Sequence, residues 1–439
     1  MSKQNIFSIP IALIPLSYII GNFLLNLNTF FIILTGIFLY LTGNKIKLLS
    51  VDKLIILFFL YILFTGTWNT IELYYFQEIK GDDFTIIIKS LLFLRYLFLY
   101  LTIRLLVEKD LINYKIVFYT FALFSFFVSV DIIFQFFYGK DFLGLTSPYT
   151  NKMTGPFYSE AIAGGFIQKF SFFLFFTFLT FVTVKNINSK ILILVLLFLV
   201  TMLSIILSGN RMSLLLFLLS IFLVFINNKN LKKYILHLTI AAVLISSVTI
   251  FSNDKLKNYY DSFYEGSKKI LTVYSYKLLG HEKHLRYSRK PPVLHEFESG
   301  VDTWELNKYI GGGLKSFRYN CPKRKIESVS LMEGGVLVEN VRTTCNIHPH
   351  NYYLEILTDL GIVGMLFFLP IIILAIKKSY NLLYDEKIKY IISPFFYVFV
   401  VEVFPIRASG SFFTTNNATI IFFLLGAIVA FSSRYKNKI

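Results

Sequence analysis

Apolar runs near 20 residues long recur along most of this chain and are separated mainly by short polar connections. A helix of about 20 apolar residues crosses roughly 30 Å of hydrocarbon. We therefore predict an all-α, polytopic membrane protein with about 12 transmembrane helices and one large folded loop. The predicted spans are residues 8–25, 29–42, 54–70, 84–107, 114–138, 161–183, 190–208, 212–227, 234–252, 361–376, 388–404 and 415–432.

The composition excludes a soluble fold. Of the 439 residues, 55% are hydrophobic and 16% are charged, whereas soluble domains carry about 25% charged residues. One soluble domain of this size could not bury its helices on every face. The formal net charge of +17 would suggest nucleic acid in a soluble protein. Here the basic residues are better explained as topology signals, so the expected partners are membrane lipids and not nucleic acid.

The distribution of Lys and Arg among the short loops predicts the orientation. Basic residues concentrate in alternate loops and in the C-terminal tail, whereas the charged residues of 71–83 are four acidic residues and one lysine. Because short cytoplasmic loops carry the excess of Lys and Arg, both termini are predicted to be cytoplasmic. Residues 1–252 then hold helices one to nine, residues 253–349 form a periplasmic catalytic loop, and residues 350–439 hold the last three helices.

The long loop contains both cysteines of the chain, Cys321 and Cys345. Long loops are usually functional or disordered, and the aromatic content of this one favours a folded unit on the membrane. An exported loop lies in an oxidising compartment, so we predict a disulfide, with two free thiols as the alternative. A zinc site using Cys345, His348 and His350 has no supporting spacing, and no metal or cofactor is expected.

Four ionisable residues lie at similar depth inside the predicted spans: Lys89, Asp131, Lys169 and Glu402. Charges at membrane depth are costly and usually face a polar interior. They indicate either a wet cavity open to the outside or structural ion pairs, for instance between Lys89 and Asp131. Arg95 is deeper, and the sequence assigns it no partner.

Five polar or glycine-containing stretches fall on the predicted outer face. They are NKMTGPFYSEAIAGGF at 151–166, SGNRMS at 208–213, IGGGLKSFRYNC at 310–321, CNIHPHNYYLEILTDLGIVGML at 345–366 and FPIRASGSFFTTNNA at 404–418. Together they resemble the O-antigen ligase and polymerase superfamily of bacterial envelope glycosyltransferases. The resemblance rests on a G-G-x-K-S-F-R element and on an H-N-x-x-L element followed by G-x-x-G. The departure is Asp359, where a glutamate is expected.

The resemblance implies glycan transfer in lipopolysaccharide biosynthesis at the bacterial inner membrane. The implied donor is a saccharide on undecaprenyl pyrophosphate. The implied acceptor is a hydroxyl on lipid A core or on another lipid-linked glycan, and no metal is implied. Ligase and polymerase share donor, fold and motifs, so the sequence leaves that choice open, as it does the sugar.

The residues themselves suggest the parts that such a reaction needs. An attacking hydroxyl needs a base, and His350 at a loop–helix junction is our candidate. A departing pyrophosphate needs cations, which Arg211, Arg318 and Lys315 would supply. The alternatives are a helix-start histidine for His350, a turn anchor for Arg211, and ordinary solvated cations for the other two.

Further residues are predicted to bind substrate. Glycines in the third stretch would let backbone amides approach phosphate oxygens. An extended chain through Pro349 would place His348 beside His350. Glu160 binds the acceptor or caps the sixth helix, and Arg407 faces the donor or anchors at the interface. The predicted substrate-binding set is Lys315, His348, Asn351, Glu160, Arg407, Gly312 and Gly313.

A transporter or flippase for lipid-linked glycans is the competing function. Such proteins often contain internal repeats and a site at the bilayer midplane. This sequence shows no repeat, and its polar clusters lie toward one face. A structural or receptor membrane protein would explain the helices but not the clustered Arg, His and Gly residues.

Overall fold

The computed structural model describes residues 3–76, 84–227, 235–278, 292–324, 330–333, 336–339, 345–407 and 410–435. Helices dominate this part of the chain, which confirms a helical polytopic membrane protein. The helices before the long loop are α1 Lys3–Ala12, α2 Ile14–Ile20, α3 Asn22–Leu41, α4 Ser50–Phe76, α5 Thr85–Phe93, α6 Arg95–Glu108, α7 Tyr114–Tyr138, α8 Ala163–Phe181, α9 Ile187–Leu207, α10 Arg211–Asn227 and α11 Ile235–Phe251.

The long loop contains helices of its own, and three more helices follow it. These elements are α12 Asp254–Leu278, α13 Pro292–Leu306, α14 Phe317–Asn320, β1 Ser330–Glu333, β2 Val336–Glu339, α15 Tyr352–Tyr380, α16 Lys389–Glu402 and α17 Thr415–Tyr435. The two strands pair antiparallel, with Ser330 opposite Glu339.

Among the described residues, nine helical segments are long and apolar enough to cross a membrane. Two shorter apolar helices, Arg211–Asn227 and Ile240–Phe251, accompany them, and α16 has 14 residues. Each of the predicted apolar runs therefore contains a helix, while the number of crossings stays a prediction. The second run, which looked short in the sequence, forms a 20-residue helix.

Contacts between loops sort the helix ends into two groups. At one end, Asn210 Nδ2 donates to the carbonyl of Ala161 (3.0 Å), and Asn351 Nδ2 donates to that of Pro405 (2.8 Å). At the other end, Arg434 Nη1 pairs with Asp110 Oδ1 at 2.6 Å. We call the first group the site end. The predicted parity of the helices, and which end faces the cytoplasm, stay predictions.

The centre of the bundle is α17, whose apolar stretch is 83% buried. Phenylalanine rings from several helices meet there; for example, Phe422 lies 5.1 Å from Phe59 between ring centroids. Because many of these rings pack edge to face, the arrangement adds to the stabilisation from burial. This rigid centre supports the loops at the site end.

A disulfide joins Cys321 to Cys345, with their Cα atoms 5.7 Å apart. It links the end of α14 to the segment that leads into α15. The two parts of the long loop that carry the predicted cations and histidines are thus covalently connected.

Candidate functional site

The first residues of α15 organise the site end. Asn351 caps the helix: its side-chain oxygen accepts from the amides of Tyr353 (2.9 Å) and Leu354 (3.1 Å). Its Nδ2 donates to the carbonyls of Pro405 (2.8 Å) and Arg407 (2.9 Å). The amide of this buried side chain is therefore used by the protein. Asn351 holds the loop after α16 against the start of α15, and its predicted contact with substrate stays a prediction.

Asn351 is the first of three buried polar residues spaced by four along α15, which places them on one helix face. Glu355 accepts from Ser411 Oγ (2.5 Å) and the amide of Phe412 (2.6 Å). Asp359 accepts from the amide of Lys315 (2.6 Å) and from Ser316 Oγ (3.2 Å). Each residue ties a loop to α15. The sequence analysis missed Glu355, although its spacing of four from Asp359 was the available signal.

The stretch at 310–321, which we call the glycine stretch, crosses α15 where that helix is interrupted. Gly361 has φ of 67°, and a Cβ there would lie 2.2 Å from the carbonyl oxygen of Tyr309. A Cβ on Gly311 would lie 2.4 Å from the amide nitrogen of Leu360. Only glycine permits both this backbone conformation at Gly361 and this close approach.

The amides of the glycine stretch have protein partners. Gly312 donates to the carbonyl of Thr358 (3.0 Å), and Gly313 donates to that of Asp359 (2.8 Å). The prediction that Gly312 and Gly313 offer amides to phosphate oxygens is therefore wrong. Their role is to complete the interrupted hydrogen bonding of α15.

Four of the predicted residues come together beside this crossing: Lys315, Arg318, His348 and His350. We call them the histidine–cation cluster. Burial, with opposing effects from Glu355 and Arg318, lowers the pKa of Lys315. The Nε of Arg318 is buried and has no hydrogen-bond partner in the described parts of the chain. A buried donor without a partner is costly, and an anion placed there would satisfy it.

The two histidine rings lie 4.3 Å apart between centroids. The two rings are close together, and His350 itself has a left-handed backbone conformation (φ 51°). Burial lowers the pKa of His348 to about 4, and His350, Lys315 and Arg318 add to that effect. His348 is therefore neutral near pH 7. Its Nε2 is buried and, among the described residues, unpartnered.

Arg211 lies in a different cluster, at the start of α10. Its Nη2 donates to Ser262 Oγ (2.9 Å) and to the carbonyl of Tyr259, and its guanidinium lies 3.6 Å from the ring centroid of Tyr259. Lys152 lies 5.9 Å from the same ring, and burial followed by the charge of Arg211 lowers its pKa. We call Arg211, Lys152, Tyr259 and Ser262 the Arg211 cluster.

The Arg211 cluster fastens α12 to the site end. Tyr259 also donates its hydroxyl to the carbonyl of Gly209 (2.8 Å). No described contact joins Arg211 to Arg318 or His350. The three residues predicted to act together are thus divided between two clusters at the same end of the bundle.

Arg407 is buried against protein groups. Its Nη1 lies 2.7 Å from Glu402 Oε2, and its guanidinium lies 4.7 Å from the ring centroid of Tyr352. The same Glu402 oxygen is 3.7 Å from Lys169 Nζ, which donates to Asn417 Oδ1 at 3.1 Å. Lys169 and Glu402 therefore form a structural ion pair, and Arg407 supports the residue that begins α15.

Two other predictions concern residues near the site end. Glu160 is exposed, while the N-cap of α8 is Ile162 and has no side-chain hydrogen bond, so the capping alternative is wrong. Asp131 Oδ1 accepts the amide of Phe142 at 2.7 Å, in place of the suggested pairing with Lys89. Within the described ranges, no group of three or more His, Cys, Asp or Glu residues is arranged to hold a metal.

Comparison with protein families matches residues 192–369 to the family described as O-Antigen ligase. The match runs from α9 into α15 and includes Arg211 and the whole histidine–cation cluster. It confirms the resemblance to the O-antigen ligase superfamily in this part of the chain and supports a glycosyltransferase-type activity in general. A search of curated proteins found no match.

Proposed function

We propose that this chain is a membrane glycosyltransferase that moves a saccharide from undecaprenyl pyrophosphate to an acceptor hydroxyl. The observation that carries the proposal is the histidine–cation cluster, in which two histidines and two cations meet at the start of α15 inside the family match. The proposed acceptor is lipid A core or a second lipid-linked glycan. The chemistry needs a base for one substrate and cations for the other, and the cluster contains both.

In the proposed reaction the acceptor oxygen attacks the anomeric carbon of the donor sugar. The acceptor proton goes to a ring nitrogen of His350. The bond from the anomeric carbon to the pyrophosphate oxygen breaks, and the pyrophosphate leaves with the electron pair. Each transfer therefore inverts the anomeric centre and produces undecaprenyl pyrophosphate and a protonated His350, which then releases its proton to water.

His348 is poorly suited to be the base, so the proposal gives that role to His350. A general base works best when its pKa is near the working pH, and the pKa of His348 is lowered to about 4. His348 is then a neutral hydrogen-bonding partner beside the base. Its neutrality also avoids a second positive charge next to a histidine that must accept a proton.

Stabilisation of the leaving group falls to side chains because the glycine amides are occupied. Asp359 holds the segment that carries Lys315 and Arg318, because it accepts hydrogen bonds from the amide of Lys315 and the hydroxyl of Ser316. Fixed cations in a partly buried site are effective because they need little reorganisation during the reaction. Our proposal therefore assigns the pyrophosphate to these two residues. Arg211 and Lys152 form a second cationic region at the same end, where Arg211 holds α12 in place.

The test uses purified protein in lipid vesicles with an undecaprenyl-pyrophosphate glycan, an acceptor and no energy source. Formation of glycosylated acceptor supports the enzyme. Movement of the lipid-linked glycan across the bilayer without transfer would support a transporter and contradict the proposal. A deletion strain distinguishes the subclasses: a ligase defect removes all glycan from lipid A core, whereas a polymerase defect leaves single-repeat caps.

We further propose that the site end faces the periplasm and that both termini are cytoplasmic. The support is the concentration of Lys and Arg in loops of the opposite end. Single cysteines introduced at exposed Glu160 and at Lys387, in a background lacking Cys321 and Cys345, provide the measurement. A membrane-impermeant thiol reagent applied to whole spheroplasts should label the first position and not the second.

A further inference from the structure

Arg95 begins α6, directly after a break at Leu94 that separates it from α5. It lies about ten residues into the Thr85–Glu108 segment, or roughly 15 Å at 1.5 Å per residue. Nη1 donates to the carbonyl of Leu92 (3.1 Å), and Nη2 donates to the hydroxyl of Tyr96 (3.0 Å). Its Nε is buried and has no partner among the described residues.

A second arginine of the same helix provides a direct contrast. Arg104 is fully buried and is compensated by two carboxylates, Asp52 at 3.5 Å and Glu108. Arg95 meets no carboxylate in the part of the chain that the structure describes. An uncompensated charge inside a membrane is costly and is therefore a sign of function. Helix α6 therefore contains both kinds of arginine: Arg104, paired with carboxylates, and Arg95, with none among the described residues.

The surroundings of Arg95 indicate what neutralises it. Arg95 is close enough to Lys315 for its charge to lower the pKa of that lysine, after burial and the charges of Glu355, Arg318 and Asp359. The preceding helix, α5, exposes Ile88, Leu91 and Leu92, each at least 50% accessible. Through its hydrogen bond to the carbonyl of Leu92, Arg95 adjoins this apolar helix, whose exposed side chains would contact lipid. An anion reaching Arg95 from that side must be carried by a lipid.

We propose that Arg95 binds the phosphate of a polyprenyl-phosphate lipid that enters the site sideways, along α5. The proposal rests on the proposed function, because it deepens the description of how the lipid-linked donor is held. The guanidinium offers Nε and a second nitrogen as a fork for two phosphate oxygens. In this proposal the lipid phosphate passes from Arg95 to Lys315, whose charges interact, and so reaches the histidines.

The test measures binding of a polyprenyl phosphate in vesicles to the purified full-length protein, without acceptor. Arg95→Gln should weaken this binding at least about tenfold, the effect expected for a charge-assisted hydrogen bond. The affinity of Arg95→Lys for this lipid should lie between those of wild type and Arg95→Gln. Arg434→Gln, at the opposite end of the bundle, is the matched control and should bind as wild type does.

A parallel arm uses inorganic pyrophosphate in water, whose binding Arg95→Gln should leave within about twofold. Equal weakening of both ligands would overturn a lateral lipid site in favour of a site for free anions. Unchanged lipid binding in a folded Arg95→Gln protein would overturn the proposal altogether. Tyr96→Phe removes a hydroxyl partner of Arg95 without changing its charge; if this variant alone loses lipid binding, Arg95 is structural. A failure of glycan transfer in wild type would instead count against the proposed function.

Discussion

The histidine–cation cluster and the Arg211 cluster lie at the same end of the bundle but use their arginines in opposite ways. Arg318 keeps a buried nitrogen without a partner, and its backbone neighbours are held by Asp359. Arg211 gives its donors to α12 and stacks on Tyr259. The Nε of Arg211 is also buried without a partner among the described residues. The two arginines differ in their other donors: Nη2 of Arg211 is bound to α12, whereas no described hydrogen bond engages the guanidinium of Arg318. We therefore propose chemistry for the first cluster and docking of α12 for the second.

The largest effect is expected at His350. His350→Ala should lower the transfer rate by about 10²–10⁴, the usual contribution of a general base. The rate is measured at saturating donor, and His348→Gln is the matched control on the neighbouring ring, expected to retain most activity. A His350→Ala rate above about a tenth of wild type would exclude this residue as the base.

Arg318→Gln should come next, with a loss of about ten- to a hundredfold in kcat/KM. The physical reason is that a pyrophosphate loses a charge-assisted hydrogen bond from a fixed donor. The measurement is steady-state transfer with the lipid-linked donor. Arg324→Gln is the control, because Arg324 belongs to the same loop and lies 3.8 Å from Asp302; an equal loss in both variants would argue against a specific role for Arg318.

Arg211→Lys should cost about tenfold or less in transfer, and it should act through α12. Lysine keeps the charge but cannot stack a planar guanidinium on the Tyr259 ring while it donates to Ser262. Hydrogen exchange of the α12 amides is the distinguishing measurement and should rise in this variant. A large loss of transfer with α12 protection unchanged would move Arg211 back into direct contact with substrate.

The disulfide offers a way to disturb one cluster alone. Mass spectrometry of unreduced protein should find Cys321 linked to Cys345, and removing the link should lower stability by about 3 kcal/mol or less in the chain-entropy model. Without the link, α14 loses its covalent connection to the segment that carries His348 and His350. The transfer rate should therefore fall several-fold, while hydrogen exchange of the α12 amides should stay unchanged. Two free thiols in protein isolated from the envelope would contradict the predicted disulfide.

The smallest effect concerns pH. The folded-state pKa of His348 is about 4, below the ordinary 6.5, so the unfolded chain takes up this proton first as pH falls. The contribution of His348 to stability therefore decreases as pH falls from about 6.5 to about 4 and is level below that range. His348→Gln should show a smaller drop in Tm between pH 7 and pH 4.5 than wild type. An identical drop in both proteins would mean that other groups dominate this pH range.

The helices and their alternation could be predicted because apolar length alone determines whether a segment crosses a bilayer. The tenth span shows the limit of that reasoning. It was predicted to begin at residue 361, whereas α15 begins at Tyr352. The extra turns carry Asn351, Glu355 and Asp359, whose polar side chains interrupt the apolar run. Their burial depends on loops that fold over them, and no local pattern contains that information.

The site was predicted in part for the same reason. Lys315 and Arg318, like His348 and His350, are neighbours in sequence, so each pair follows from a short motif, and the disulfide pairing follows from there being only two cysteines. The separation of Arg211 depends on where α12 docks, which is a tertiary contact. The prediction that the amides of Gly312 and Gly313 bind phosphate failed for a similar reason. A glycine-rich stretch can bind an anion or allow another backbone segment to cross closely. Only the three-dimensional structure distinguishes these two uses.

The crossing of the glycine stretch with α15 bears on how the protein is made. Ile362 donates to the carbonyl of Lys308 at 2.9 Å, and Gly313 donates to that of Asp359 at 2.8 Å, so the two segments complete each other's main-chain bonding. The segment with Lys308 and Gly313 emerges from the ribosome well before the segment with Asp359 and Ile362. In the proposed orientation, α15 has unmet backbone groups at its break, inside or near the bilayer, until the long loop has been exported and has reached the site end. On that proposal, insertion of this helix is coupled to translocation of the loop, and a delay in export would leave α15 without the segment that completes its main-chain bonding.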